Sequence, residues 1–297
     1  MRTRHDPPPA ILRLHDPERS FLAFTIPEIA EVIDTHCHLT FDDYAGRVDD
    51  VLTRARQAGL RGVITVSVTA DNAKRSLALA RAHDHLWCTA GVHPLYADEP
   101  RDWDALRSVA QHHKCVAWGE LGLDNHYDHP PRNLQDKVLA EQLAMIQAAA
   151  DDGLKLPIVV HCRQASDDLL AVFRSAPFDP DRYVFHCFTA GPDVARKVLD
   201  FGAWISFTGV VTFKNAPEVA HAAKLVPLDR IMVETDAPFL TPEPVRKIRP
   251  NEPQYVVHVA RFLAELRGAD PLEFEAALDA NAERFFHISL DDPCPDT

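Results

Sequence analysis

Two imidazoles stand two residues apart in a strand-forming run, His36 and His38 within Val32-Ile33-Asp34-Thr35-His36-Cys37-His38-Leu39. Strand side chains alternate sides, so both rings project from one face toward one point. Neutral imidazole is the commonest protein metal ligand, and the pair reads as half of a metal site at the end of a first strand. More groups of the same chemistry follow, Glu120, His161, His186 and Asp236, each closing a strand-like apolar run. A lone histidine at a strand end is usually a solvated or capped imidazole. Recurrence of such residues at the same end of five strands is poorly explained by independent accidents.

Four imidazoles and two carboxylates form an N/O donor set suited to Zn, Mn or Mg, and they are too many for one tetrahedral centre. The count predicts two divalent metal ions with Glu120 spanning them. Two ions about 3.5–4 Å apart suit phosphoester hydrolysis, because together they acidify a shared water, polarise the phosphoryl oxygen and neutralise the leaving oxygen. Asp236 is expected to ligate and also to take the proton of the attacking water, so Asp236 and Glu120 are the expected catalytic carboxylates. No serine or cysteine nucleophile is then required. Cys37, between the two histidines, points to the opposite face of its strand and reads as a packing residue, as do Cys162 and Cys187.

The elements that must position these groups follow from periodicity. Strands are expected at 62–68, Leu86 to Gly91, Cys115 to Gly119, Ile158 to Val160, Tyr183 to Phe185, Trp204 to Phe207 and Arg230 to Val233, after the first within 32–39. Helices are expected between them: Val48 to Ala58 stopped by Gly59, Asp71 to Ala82 capped by Asp71, Asp102 to Gln111, and Arg132 to Asp152. The last carries an apolar stripe of Leu134, Val138, Leu139, Leu143 and Ile146. Strand alternating with helix about eight times predicts an α/β TIM (β/α)8 barrel, whose chemistry collects at the C-terminal ends of the strands. The candidate ligands fall there. Residues 31–290 read as a single barrel domain, 1–30 as an irregular Pro-rich extension and 291–297 as a short tail.

At 297 residues and 46% hydrophobic, the chain can bury one large core. With 31 Lys+Arg against 44 Asp+Glu the formal net charge is −13. That excludes broad, sequence-blind adhesion to nucleic acid or anionic membrane but leaves room for a local basic patch beside a metal. No apolar run reaches the roughly 20 residues of a membrane span, and no signal-peptide core is present, so no membrane and a cytoplasmic location are expected. The six cysteines include no CxxC pair and read as reduced, mostly buried thiols. No obligate protein partner is evident.

The ordered motifs resemble the TatD family of metal-dependent hydrolases. They run through Asp34-Thr35-His36-Cys37-His38-Leu39, Gly91-Val92-His93-Pro94, 119–124, His161-Cys162-Arg163, 186–190, Ser206-Phe207-Thr208-Gly209 and 234–240, then Asn251-Glu252-Pro253 and 281–286. The resemblance covers roughly 32–287. It implies a TIM-barrel metallohydrolase of the amidohydrolase superfamily, a Mg, Mn or Zn-dependent deoxyribonuclease. Its ligand positions fall onto His36, His38, Glu120, His161, His186 and Asp236, the set reached above from strand ends. It also implies that His93, near the metals, contacts the substrate phosphate. The chain departs from the family pattern at Leu95, where many members have a second histidine after His-Pro, at Asn125, where an aromatic is common, at Ala190 in place of glycine, and in the 242–250 loop.

Arg163, two residues past His161, is the expected phosphate contact, since guanidinium matches phosphate oxygens in bidentate fashion. Arg246, Lys247 and Arg249 cluster after Asp236 as further candidates, and Glu234 is a candidate partner for Arg163 or for a ligand histidine. Lys214 and Phe213 could support a nucleotide by charge and stacking. The expected activity is metal-dependent, exonuclease-like cleavage of DNA or another phosphodiester. Two other readings are open: a two-metal amide, lactone or carboxylic ester hydrolase, and a non-catalytic metal-binding partner protein.

Overall fold

The computed structural model describes residues 32–291. The expected extension over 1–30 and the tail beyond 291, with Cys294, lie outside the described residues. Eight parallel strands run in sequence order around a nearly closed barrel: β1 Val32–Cys37, β2 Leu60–Thr65, β3 Leu86–Ala90, β4 Cys115–Asp124, β5 Ile158–Arg163, β6 Tyr183–Phe185, β7 Trp204–Phe207 and β8 Ile231–Val233. Helices α1 Val48–Gln57, α2 Ala70–Arg81, α3 Trp103–Ala110, α4 Arg132–Asp151, α5 Ser166–Ser175, α6 Pro192–Phe201, α7 Pro217–Leu225 and α8 Val256–Arg267 connect and follow the strands. A further helix, α9 Pro271–Phe286, comes last. The expected (β/α)8 barrel is the observed one.

Two apolar layers hold it. Ile33, Ile64, Val116, Val159, Val184 and Met232 belong to one buried cluster from successive strands, which Phe285, Phe286 and Leu290 join. A larger cluster joins the strands to the surrounding helices, and Cys37, Cys88 and Cys115 are packed within it. All five described cysteines are free. Among the described residues no helix is long and apolar enough to cross a membrane.

Two expectations are corrected. The cap of α2 is Thr69, whose extended backbone lets its hydroxyl accept from the Asn72 N–H; Asp71 already lies inside the first turn. Strand β4 does not stop at Gly119 but continues to Asp124, pairing Leu121, Gly122, Leu123 and Asp124 with 160–163 of β5. Gly122 permits this close pairing: at φ +150°, a Cβ there would stand 1.9 Å from the His161 carbonyl oxygen. The apolar stripe of α4 is as expected, with Val138, Leu139 and Ile146 buried and Leu134 and Leu143 packed against the same cluster, and two buried glutamines lie beside it. Gln142 clasps the N–H and C=O of Val92 at 2.8 and 2.9 Å, and Gln135 clasps those of Asp124 at 2.9 and 3.1 Å. Each substitutes a side-chain amide for a missing strand neighbour.

The β8 to β1 seam is closed without a regular ladder. His38 N–H donates to Ala237 O at 2.7 Å and Asp236 N–H to His36 O at 2.8 Å. Buried Asp34 accepts from Thr235 N–H (2.8 Å) and Thr235 Oγ1 (2.6 Å), and Thr35 Oγ1 donates to Val233 O at 2.9 Å. Asn281 from α9 donates to the carbonyls of Leu228 and Ile231 before and within β8, and Asn251 to those of Thr235 and Phe239 after it. Removing the shared acceptor should therefore cost more than a cavity of that size. Asp34→Ala is expected to destabilise the chelated protein by about 2–3 kcal/mol, the cost of stranding buried donors. Asp34→Asn, which keeps one acceptor, should cost less. Urea unfolding would measure both, and equal loss in the two variants would contradict the seam's dependence on that acceptor.

Candidate metal centre

All six residues expected as ligands meet at the C-terminal mouth of the barrel. Local irregularity aims them there. On β1, Asp34 pairs with Val63 and Cys37 with Thr65, so three steps on β1 span two on β2 at His36. On β4, Trp118 pairs with Ile158 and Leu121 with Val160, the same mismatch at Glu120. Such bulges turn a side chain out of the regular alternation. Beside the second one, Gly91 lets β3 close in: a Cβ there would meet Gly119 Cα at 2.5 Å.

Glu120 sits in the middle. Its Oε1 is 3.7 Å from His36 Nε2 and 3.6 Å from His38 Nε2, and its Oε2 is 2.7 Å from His186 Nε2 and 3.3 Å from His161 Nδ1. Asp236 Oδ1 joins the first pair, 3.3 Å from His38 Nε2 and 3.7 Å from His36 Nε2. The His36 and His186 rings stack 3.9 Å apart between the two groups.

The remaining ring nitrogens decide which lone pairs are offered. His38 Nδ1 lies 3.2 Å from Val66 O, His161 Nε2 3.1 Å from Asp124 Oδ2, and His186 Nδ1 3.3 Å from Glu234 Oε1. A carbonyl or ionised carboxylate only accepts, so each of those nitrogens carries a proton in either charge state, and the opposite nitrogen is the one left for a cation that displaces its proton. His36 has no such partner: both its nitrogens are buried without a hydrogen bond, and so is Glu120 Oε2. Glu120 Oε2 and His186 Nε2, though 2.7 Å apart, are therefore not aligned as a hydrogen bond. Buried polar atoms are rarely left so. Donor atoms within 4.8 Å of one another occur in three overlapping groups, His36/Glu120/His186, His36/His38/Asp236 and His93/Glu120/His161. The donor chemistry and the orphaned atoms fit divalent cations.

Burial opposes charge throughout, yet the partners prevail at several sites. The Glu120 and Glu234 carboxylates hold His186 well above the usual imidazole range, the surrounding imidazoles hold Glu120 well below the carboxylate range, and His38 and His36 keep Asp236 low. His93 behaves differently, because burial pushes it down to about 3. Its Nδ1 accepts from the Leu95 N–H at 3.0 Å, so the proton sits on Nε2, 3.0 Å from His161 Nδ1 and 3.7 Å from Glu120 Oε2. In this tautomer His93 is a hydrogen-bond donor at the edge of the centre.

The centre opens into a cavity of about 500 Å³ whose only Lys or Arg among the described lining residues is Arg163. The other basic candidates do not reach it. Arg249 is consumed by its own loop, donating to Thr241 Oγ1 and to the carbonyls of Arg246 and Ile248. Arg246 stacks 3.7 Å over Phe213, and neither Phe213 nor Lys214 lines the cavity. Glu234 holds His186 and the Cys187 N–H rather than Arg163. Cys162 packs against the core cluster, as expected, and also lines the cavity, as does Cys187; burial pushes the Cys162 thiol up to about 12, so it stays neutral. Asp124, which the residue pattern marks only as the end of the Gly-Leu-Asp run, pairs with His161 across 37 residues of chain.

The profile of the family described as TatD related DNase matches residues 33–287. The uncharacterized metal-dependent hydrolase YcfH of Escherichia coli K12 is 37% identical over 260 residues, 86% of this chain and 96% of that protein. The 3'-5' ssDNA/RNA exonuclease TatD of Salmonella typhimurium is 33% identical, over 86% of this chain and 99% of that protein. The crystal structure of YJJV, a TatD homolog from Escherichia coli K12, superposes with a TM-score of 0.81 at 30% identity, covering 88% of this chain and all of that one.

The orienting contacts are separable from the centre itself. Glu234→Ala should weaken cation binding by about 10- to 100-fold, measured by competition with a chromophoric chelator, whereas Glu234→Gln, which keeps the acceptor for His186, should lose less. Equal affinity in both variants and the wild type would show that the ring needs no such partner.

Proposed function

The chain belongs to the TatD-related DNase family and is a metal-dependent hydrolase, and we propose that it trims the ends of single-stranded nucleic acid by hydrolysing phosphodiester bonds in a two-cation centre. His36, His38 and Asp236 would hold one ion, His161 and His186 the other, with Glu120 between them. The observation that carries this reading is the division of the Glu120 carboxylate, one oxygen toward each group of imidazoles. Support for the substrate comes from relatives named as ssDNA/RNA exonucleases.

Bound Mg, Mn or Zn would supply Lewis acidity and an acidified water. The chain's own residues do the rest. Asp236 is the more open of the two carboxylates, with 15% of its side chain exposed against 3% for Glu120, and it lines the cavity. Water arriving from the cavity meets it first, and it stays ionised, so it orients that water and accepts its proton. His93 donates from Nε2 to a phosphoryl oxygen. Arg163 holds the neighbouring phosphate in the cavity mouth. The acidic net charge, −13, disfavours wrapping along a polyanion and suits a small mouth that takes an end.

Chelated protein resupplied with Mg, Mn or Zn should shorten 3'-labelled or 5'-labelled single-stranded oligonucleotides, and the ladder gives the polarity. Asp236→Asn is expected to lower kcat by about 100-fold or more with the fold retained. Near-normal turnover in that variant would remove Asp236 from proton transfer. Glu120→Ala should reduce bound metal from two ions toward one by elemental analysis; unchanged stoichiometry would contradict bridging.

A further inference from the structure

The cavity is short of cations and rich in rings. Phe41, Tyr96, Tyr127 and Phe239 line it, against the single guanidinium of Arg163. A groove that binds single strands through the backbone needs a track of basic residues, and this one has none; ring stacking is the other general source of affinity for unpaired bases. Two of the four rings are already committed. Phe41 stacks on His38 at 4.7 Å, and Tyr96 lies edge-on to His93 at 6.0 Å. Phe239 is 50% exposed but leans on Phe41 and His38, so altering it would disturb a ligand.

Tyr127 is built differently. It is 49% exposed and makes its ring contacts away from the ligands, with the Arg163 guanidinium 5.2 Å over one face and His126 edge-on. Its place is fixed by Asp124, whose Oδ1 accepts from the His126 and Tyr127 N–H groups while its Oδ2 accepts from His161 Nε2. One carboxylate thus sets both an imidazole of the centre and the turn that delivers the ring. Asn125, which stands where the family commonly has an aromatic, points elsewhere: it donates to Gln164 O and accepts from Arg132.

Resting on the nuclease reading, we propose that Tyr127 and Arg163 form a nucleotide-positioning pair, the free face of the Tyr127 ring taking the unstacked base of the strand end and Arg163 its phosphate. The pair makes recognition depend on the presence of a base but not on its identity, since every base has a stacking face.

The test compares metal-loaded wild type, Tyr127→Ala and Tyr127→Phe on single-stranded oligonucleotides ending in an ordinary nucleotide or in an abasic one, at each end in turn. Wild type should prefer the base-bearing end by about 5- to 100-fold in kcat/KM. In Tyr127→Ala that ratio should collapse toward one, chiefly through KM, and Tyr127→Phe should restore it. A merely structural role would slow both substrates alike and leave the ratio standing, which would overturn the proposal, as would a wild type indifferent to the missing base. Failure of metal-loaded wild type to cut any oligonucleotide would instead sink the nuclease reading, and this pair's role with it.

Discussion

A parallel barrel has to close its last strand on its first, and here β8, three residues long, cannot do so by a ladder. The seam is closed by the chain just beyond it. Asp236 N–H reaches His36 O, His38 N–H reaches Ala237 O, and Asp34 ties Thr235 to β1 from within. The same few residues that shut the barrel therefore carry three of the six candidate ligands. Asp236 takes a positive φ of 53° as the chain turns there, a conformation tolerated in a short polar side chain and held by the hydrogen bonds around it. Closure and site geometry are one constraint, which explains why so many backbone groups of 233–239 are tied down by side chains from elsewhere.

The centre that results is expensive in the absence of a cation. Glu120 is buried among imidazoles, His36 has no hydrogen bond from either nitrogen, and Glu120 Oε2 lacks one as well. Each buried polar atom left unpaired costs on the order of 1–3 kcal/mol. The surrounding structure bears that cost through its packing and through partners that do not face the centre: Val66 O on His38, Asp124 on His161, Glu234 on His186. These fix ring orientation before any ion arrives. A site so prepared spends little of the binding energy on ordering side chains.

The chain as a whole is acidic, at a formal net charge of −13, and the centre opens into a cavity of about 500 Å³. Charge that might have lined a groove is used up locally, in the loop held by Arg249 and in the Arg246 guanidinium stacked on Phe213. What remains at the mouth, among the described lining residues, is one guanidinium and several rings.

The architecture and the candidate ligand set are legible in the sequence. Alternating strand and helix signals recur too regularly for another fold, and candidate metal-binding side chains at strand ends need only the barrel to bring them together. The sequence determined less about the supporting residues. Asp71 is a cap by residue type, but Thr69 has the extended backbone a cap needs; that Gln135 and Gln142 clasp strand ends emerges only on folding. Arg249 reads as a phosphate contact and Lys214 as a nucleotide contact because charge is visible in a sequence while direction is not. The bulges at His36 and Glu120 depend on the register of a neighbouring strand. Whether Glu234 would hold Arg163 or a histidine depended on a distance across 48 residues of chain. Residue type and spacing along one element are local properties that a sequence records; which atom faces which across strands is set by register and packing, and the tertiary structure alone decided it.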